Sequence, residues 1–490
     1  MRLPALLGHA AELLRIINKS YQPSDKIMSD YFRKKKYIGS SERRFLSELV
    51  FTTLRNYNLI DYCMNQALDK CGKRISKENI DDGLMFTATA AYLFEIIENY
   101  HTIFQPSKLI EKFNENKNYF DNLIIALDEK AKFEKKESEE FLQTIKLSFE
   151  ELDAKSKLIG SQNTAQNKDI SQIISKRFSV HEWIIERWLN NKFIKMGVDE
   201  VCNLSESLLF PAPLTVRVNL SYITREEAIE TFRKKEINCE SCLLSPSGII
   251  VTKRTQLNTL DIFKKGFIEV QDEGSHLISF ALNPDEKEKI LDACAGAGGK
   301  TLHIADIQKN SGQIISSDVD SRKLRELLKR AKRSGFNSIK TQNLSNSDKS
   351  PLRSERGFRG EVFDRVLVDA PCSGMGTVRR MPMQKWRLTP ELLKKHSDKQ
   401  LKILGYYSKF VRDGGILLYS TCSLMSEENE EVVDKFLSQN NSFKPNPLKP
   451  AFNRFNIKIS GLTDDSYMLR ISPAQHGCDG FFIAKMIREE

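Results

Sequence analysis

Along the first third of the chain, apolar side chains recur with the spacing of helices. After Ser40-Ser41-Glu42-Arg43-Arg44, the residues Phe45, Leu46, Leu49, Val50 and Leu54 fall on one helical face. The apolar opening from Leu3 to Ile17 is interrupted by Glu12 and Arg15, which predicts an amphipathic helix rather than a secretory leader. Helical patterns continue past residue 100, and Lys and Glu dominate Lys130–Glu140. Ser161–Asp169 is polar with no hydrophobic period, so 161–175 is predicted to be a linker. From about residue 176 the period changes. Leu214, Val216 and Val218 alternate with Thr215, Arg217 and Asn219, the pattern of a half-buried strand. Thr224-Arg225-Glu226-Glu227 has the form of a capping box, and Ala228, Ile229 and Phe232 supply the apolar face behind it. A turn at Ser245-Pro246-Ser247-Gly248 leads into Ile249-Ile250-Val251, completing a small α+β module. From roughly residue 266, strands alternate with helices. Lys289–Ala293, Gln313–Ser317, Asp364–Val368 and Gly415–Tyr419 are separated by connections long enough for helical crossovers. That alternation predicts an α/β fold with a mostly parallel sheet, whose ligands bind at the carboxyl ends of its strands.

Charge and cysteine content narrow the class. Lys+Arg 75 against Asp+Glu 65 leaves a net charge of +10, which suits a polyanionic partner as well as it suits a plain lysine-rich surface. The run Phe32-Arg33-Lys34-Lys35-Lys36-Tyr37 has the same two readings, a solvated helix end or a phosphate patch. No apolar run approaches membrane-spanning length. The 9 cysteines show no disulfide rhythm, which points to a reducing cytoplasm. Cys239 and Cys242 have metal-like spacing, but neither a second pair nor a nearby histidine completes a zinc site, so no metal is expected.

The motifs with chemical content lie at the predicted strand ends. Asp292-Ala293-Cys294-Ala295-Gly296-Ala297-Gly298-Gly299-Lys300-Thr301 joins a strand to a helix. Its three glycines let the backbone pass close to a ligand at the helix N-terminus. Asp318 follows Gly296 by 22 residues, at the next strand end, where a carboxylate accepts from ribose hydroxyls. A phosphate-binding P-loop would need glycine where Cys294 stands, and the dinucleotide pattern would need glycine at Thr301. A tight turn without a ligand is the remaining alternative.

Two later strands run into Asp369-Ala370-Pro371-Cys372-Ser373-Gly374 and Ser420-Thr421-Cys422-Ser423. A free cysteine is most often an inert core residue. Two of them at the edge that carries the glycine loop, one following a carboxylate by three residues, point to chemistry instead. Carbon 5 of cytosine is a poor nucleophile until a thiolate adds to carbon 6 and makes the ring an enamine, which then attacks a methyl sulfonium. A carboxyl group at ring nitrogen 3 stabilises that addition, and a further group must take the carbon 5 proton before the thiol leaves.

These segments resemble the motifs of the Nol–Nop–Sun RNA 5-methylcytosine methyltransferases. So do Val270-Gln271-Asp272-Glu273-Gly274-Ser275, Arg379-Arg380-Met381-Pro382 with Lys385-Trp386, and Asp479-Gly480-Phe481-Phe482. The resemblance covers about residues 176–488, and Ser24 to Asn56 looks like the NusB-like domain of the bacterial ribosomal RNA branch. It implies an all-α NusB-like RNA-binding domain over 1–160, the linker 161–175, a small α+β RNA-recognition module over 176–265, and a Rossmann-like methyltransferase domain over 266–490. The implied nucleophile is Cys422. Cys372 would assist proton removal and product release, Asp369 would contact the target cytosine, and Lys300 would lie between cofactor and base. S-adenosylmethionine would be held by Cys294, Ala295, Gly296, Ala297, Gly298, Gly299, Lys300, Asp318 and Asp369. The implied partner is RNA, ribosomal before transfer RNA, with no membrane and no protein partner.

The chain departs from the family twice. Gly296-Ala297 replaces a usual Ala-Pro, and the acid expected near the cofactor's adenine is absent, with Leu344 in its place. The helix Ser321–Arg333 carries Lys323, Arg325, Lys329, Arg330, Lys332 and Arg333 around Leu324, Leu327, Leu328 and Ala331, a solvated face opposite a core face, with RNA contact as the second reading. The rival function is a ribosome-assembly factor that binds RNA and keeps the fold without the activity. Intact Asp369, Cys372 and Cys422 weigh against it, and the missing acid weighs for it. A DNA cytosine methyltransferase is disfavoured, because its Pro-Cys nucleophile is not paired with a downstream Thr-Cys-Ser.

Overall fold

The computed structural model describes residues 2–72, 86–93, 123–125, 127, 133–159, 167–252, 255–344, 358 and 360–489. They divide into two compact units, Met1–Pro211 with Val378–Arg387, and Ala212–Thr377 with Leu388–Glu490. Among the described residues, no helix is long and apolar enough to cross a membrane.

The first unit is helical: α1 (Leu3–Asn18), α2 (Ser24–Lys34), α3 (Ser40–Arg55), α4 (Tyr57–Lys70), α5 (Lys135–Leu158), α6 (Asn167–Phe178), α7 (Glu182–Leu189) and α8 (Val198–Ser207). In α3 the predicted stripe is the buried one, with Phe45, Leu46, Leu49, Val50 and Leu54 in the core. Glu42 caps its start by accepting from the Gly39 N–H at 2.7 Å. The predicted linker is corrected by α6, which occupies most of 161–175. Ile170, Ile174 and Phe178 recur every fourth residue and are buried, and Arg177 donates to Asp153 Oδ1 at 2.7 Å. The polar run that suggested a linker stops one residue before that period begins. Residues 161–166, and the predicted helical stretch just past residue 100, lie outside the described residues.

Val378–Arg387 belongs to this helical unit although it was predicted within the methyltransferase domain. The last carbonyls of a helix lack intrahelical donors, and this segment supplies them to α3. Trp386 Nε1 donates to the Leu54 carbonyl and Lys385 Nζ to the Arg55 carbonyl, each at 2.7 Å, while Arg55 Nη2 donates to the Arg379 carbonyl at 3.0 Å. Lys385 is fully buried, and burial, followed by the charge of Arg55, pushes its pKa well down.

The second unit holds two sheets. The smaller contains β1 (Leu214–Val218), β2 (Cys239–Ser241), β3 (Gly248–Val251) and β4 (Ile268–Val270), in the order β2-β3-β1-β4 and antiparallel throughout, with α9 (Arg225–Arg233) after β1 and α10 (Glu273–Leu282) after β4. Thr224 Oγ1 caps α9 by accepting from the Glu227 N–H at 3.2 Å, as the capping box predicts. β1 is not half-buried as its alternation predicted. Thr215 and Arg217 are buried too, Arg217 donating to Gln271 Oε1 at 3.0 Å and lying 3.5 Å from Asp306. The charged alternate residue had suggested a wet face, but its partners arrive from distant segments.

The larger sheet contains β5 (Lys289–Asp292), β6 (Gln313–Asp318), β7 (Ile339–Asn343), β8 (Phe363–Asp369), β9 (Val411–Thr421), β10 (Phe443–Pro445), β11 (Met468–Ile471) and β12 (Phe481–Arg488). Its order is β10-β12-β9-β8-β5-β6-β7, with β11 beside β12. The run from β9 to β7 is parallel, and β12 pairs antiparallel with its neighbours. The four predicted strands are all there, each within this parallel run. The chain reverses its strand order at β5, so the crevice beyond the carboxyl ends of β5 and β8 is the expected ligand position.

Candidate active site

Between β5 and helix α11 (Gly299–Ile307), the chain turns through two left-handed glycines. A side chain at Gly298 (φ +86°) would put Cβ 2.4 Å from Leu327 Cγ, whereas one at Gly296 (φ +55°) would meet nothing within 4 Å. The loop is therefore packed on one side and open on the other. Asp318 braces the open part, its two oxygens accepting from the Gly296 and Asp320 N–H groups at 2.9 and 2.8 Å. Arg330, on helix α12 (Ser321–Arg333), donates to the Ala297 carbonyl at 2.7 Å and pairs with Glu269 at 3.0 Å. Arg333 pairs with Glu269 as well, so two of the cations predicted on a solvated face are structural. Leu324, Leu327 and Ala331 are buried as expected, but Leu328 is exposed.

Within the loop, Ala295 donates from its N–H to the Ser317 carbonyl at 3.0 Å, and Cys294 packs against the core with its thiol pushed up by burial. Asp292, at the end of β5, accepts from Thr301 Oγ1 at 2.6 Å. Its other oxygen is buried without a partner among the described residues. Burial first, with the charge of Asp369 adding, pushes this carboxyl up to about 7 against the lowering effect of Thr301. Leu344 is a buried core residue and offers Asp318 only its backbone N–H, at 3.2 Å from the Asp318 carbonyl.

The parallel register of β8 and β9 pairs Asp369 with Ser420 and brings both cysteine loops to one edge. Lys300 Nζ donates to Asp369 Oδ2 at 2.6 Å, and Ser420 Oγ to Asp369 Oδ1 at 2.9 Å. Burial alone would lower Lys300, but the charge and hydrogen bond of Asp369 outweigh it and hold the ammonium above its ordinary value, with Cys422 adding. Cys372 Sγ and Cys422 Sγ are 3.2 Å apart. The hydrogen bond to Cys422, then burial and the charges of Cys422 and Glu428, push the Cys372 thiol well up.

Two glycines allow the loops to close. Gly376 donates from its N–H to the Cys422 carbonyl at 2.9 Å, and Gly480 donates to the Gly376 carbonyl at 2.8 Å. A Cβ on Gly376 would fall 2.0 Å from the Gly480 oxygen. The outlying motifs also meet, since Asp272 accepts from Gly274 N–H at 2.9 Å and from Asp479 N–H at 3.2 Å.

The structure thus assembles Lys300, Asp369, Cys372 and Cys422 at one sheet edge and places the open side of the glycine loop and Asp318 along the same strand ends. Sequence reasoning missed Asp292, Arg330, Glu428 and Asn429. Asn429 brackets Cys422, accepting from Thr421 Oγ1 at 2.6 Å and donating to the Ser423 carbonyl at 3.0 Å. For Glu428 and Asn429 the only signal was their place a few residues after the Thr-Cys-Ser motif.

Residues 279–487 match the family model described as 16S rRNA methyltransferase RsmB/F, and residues 182–258 match the ferredoxin-like domain of RsmF/B-like methyltransferases. The chain is 33% identical to a probable ribosomal RNA small subunit methyltransferase B of Bacillus subtilis, over 62% of this chain and 65% of that protein. It is 30% identical to the similarly named protein of Synechocystis, over 64% of this chain and 68% of that one. The match to the Bacillus relative thus spans just under two thirds of its length. Among solved structures, a methyltransferase homolog from Pyrococcus horikoshii superposes with TM-score 0.54 and 26% identity, covering 65% of this chain and 99% of its own. NSun6 from the same organism gives TM-score 0.53 at 22% identity, covering 62% of this chain and 97% of its own, which shows a shared fold.

Proposed function

For a chain that belongs to the 16S rRNA methyltransferase RsmB/F family, we propose methyl transfer from S-adenosylmethionine to carbon 5 of a cytosine in RNA, with 16S ribosomal RNA as the substrate. The single observation that carries this reading is the pair of sulfurs 3.2 Å apart beside the Lys300–Asp369 ion pair. A lone catalytic thiol would need no second one at that distance.

The residues present fit the cofactor. The open face of Gly296 admits a ligand against the backbone, Asp318 retains lone pairs for two ribose hydroxyls, and the unpartnered Asp292 oxygen suits a cationic group. When bound, S-adenosylmethionine supplies an electrophilic methyl group. Cys422 adds as thiolate to carbon 6 of the cytosine, forming a sulfur–carbon bond and pushing electrons toward ring nitrogen 3. The Lys300–Asp369 pair meets the charge that develops there and carries the proton that nitrogen 3 takes. Carbon 5, now enamine-like, would be the nucleophile for the methyl group that bound S-adenosylmethionine supplies, with S-adenosylhomocysteine as the leaving group. The carbon 5 proton then leaves toward Cys372 in its thiolate form, the carbon 5–carbon 6 double bond re-forms as Cys422 departs as thiolate, and nitrogen 3 returns its proton to the Lys300–Asp369 pair. The helical unit and the ferredoxin-like module would grip the RNA, the net +10 charge favouring phosphate contacts.

The test is transfer of a labelled methyl group to RNA from cells lacking this gene, followed by digestion to nucleosides. Label in 5-methylcytidine at one 16S position, matched by a bisulfite-resistant site lost in those cells, is the expected outcome. Label in another nucleoside, or none, would overturn the assignment and favour an RNA-binding assembly role.

A further inference from the structure

Glu428 is fully buried, and among the described residues its side chain is met by hydrogen-bond donors rather than a cation. Oε1 accepts from the Ser373 N–H at 2.8 Å and from Gln400 Nε2 at 3.1 Å. Oε2 accepts from the hydroxyls of Ser373 and Ser423, which are 3.3 Å apart. These two serines directly follow Cys372 and Cys422. Gln400 Nε2 also donates to the Pro371 carbonyl at 3.0 Å, and the Glu428 carbonyl accepts from Tyr419 Oη at 2.6 Å. One carboxylate therefore ties together both cysteine loops and the helix that carries Gln400, while the backbone carbonyl of the same residue holds Tyr419 of β9.

A carboxylate without a cation is costly to bury, and apolar or amide residues would fill the same space at less expense of free energy. What a carboxylate alone provides is an acceptor on every lone pair together with a fixed negative charge. We propose that Glu428 is a positioning residue for the two-cysteine chemistry: through Ser373 and Ser423 it sets the distance between the Cys372 and Cys422 sulfurs. The same charge is among the causes that raise the Cys372 thiol, which makes its thiolate the stronger base for the carbon 5 proton. Glu428 does not touch the substrate in this account. It acts through Cys372, so its loss should slow the late elimination step more than the initial addition.

The inference rests on the covalent reading above, and the test separates the two. Glu428→Gln keeps shape and polarity but replaces two acceptor sites by donors. With cofactor affinity and the KM for RNA within roughly twofold of wild type, kcat should fall roughly 10- to 100-fold. A covalent protein–RNA adduct should accumulate as it does in Cys372→Ala. The acid limb of the kcat profile, where Cys372 gains its proton and can no longer accept one, should move to lower pH, since losing the charge lets Cys372 ionise sooner. If Glu428→Gln folds poorly, the double variant Ser373→Ala/Ser423→Ala removes the two hydroxyl links without leaving a new buried donor, and should trap the adduct too. A readout independent of methylation uses diamide, which oxidises two neighbouring thiols to a disulfide. Cys372–Cys422 cross-linking, followed by mass spectrometry, should be roughly 10-fold slower in either variant. Unchanged cross-linking with wild-type kcat would overturn the positioning role, as would loss of cofactor affinity in step with kcat. Failure of wild type to methylate RNA would sink the covalent reading while leaving the cross-linking result to decide the role of Glu428.

Discussion

The glycine loop and the cysteine pair are built at adjacent strand ends by opposite means. The loop is held by backbone: left-handed Gly296 and Gly298, N–H groups on Asp318, and a carbonyl on Arg330. The cysteine pair is held by side chains converging on one buried carboxylate, with Asn429 bracketing Cys422. A backbone cradle tolerates many side chains and presents a surface, which suits the binding of a cofactor that must enter and leave. Two sulfurs proposed to act in turn on one ring need a fixed separation, which a network of directional hydrogen bonds provides.

If the two regions are built independently, damage to one should spare the other. The largest effect is expected from Gly376→Ala, whose Cβ would overlap the Gly480 carbonyl oxygen. Overpacking of that kind costs about 1–3 kcal/mol, and displacing the backbone that carries Cys372 should reduce turnover by roughly 100-fold or more. Calorimetry should find cofactor binding nearly intact. Equal loss of both would show that the regions form one unit.

Asp318→Ala strikes the other side. It removes the brace on Gly296 and Asp320, and cofactor affinity should fall by about 1.5–3 kcal/mol. The rate of Cys372–Cys422 cross-linking by diamide should not change. Unaltered affinity would remove Asp318 from the site.

A smaller, pH-dependent effect tests the cradle alone. The Asp292 carboxyl is raised to about 7 in the free protein, with burial as the leading cause. A cationic ligand favours the ionised form, so affinity should rise with pH up to about 7 and then level off. The limiting slope is about 1.4 kcal/mol per pH unit below that value. Asp292→Asn should flatten the profile. The sign for stability is opposite: a carboxyl raised on folding favours the folded state at low pH, and that contribution is lost as pH rises from the unfolded value toward 7. A profile unchanged by Asp292→Asn would assign the dependence to another group.

The same contrast explains what could be read from the chain. The loop, Asp318 and both cysteines were legible because local patterns carry them: glycines between a strand and a helix, an acid at the next strand end, and cysteines just past apolar runs. Glu428 was not, because its partners Ser373 and Gln400 lie 55 and 28 residues away, and a Ser-Glu-Glu-Asn run reads as solvated charge. Arg330 was hidden among six other basic residues on α12, and only tertiary structure separates the cation that holds Ala297 from those facing water. Val378–Arg387 was assigned by its place in the chain to the methyltransferase domain, yet its Trp386 and Lys385 cap a helix more than three hundred residues earlier.

The central claim is the division of labour between the sulfurs, and trapping the covalent intermediate tests it most directly. Each single cysteine variant and the double variant are incubated with substrate RNA and S-adenosylmethionine and resolved on a denaturing gel. Cys372→Ala should add to carbon 6 and transfer the methyl group but stall before elimination, giving a slow-migrating protein–RNA band. Cys422→Ala and the double variant should give none, and all three should lose turnover. A band with Cys422→Ala and none with Cys372→Ala would contradict the account and make Cys372 the nucleophile.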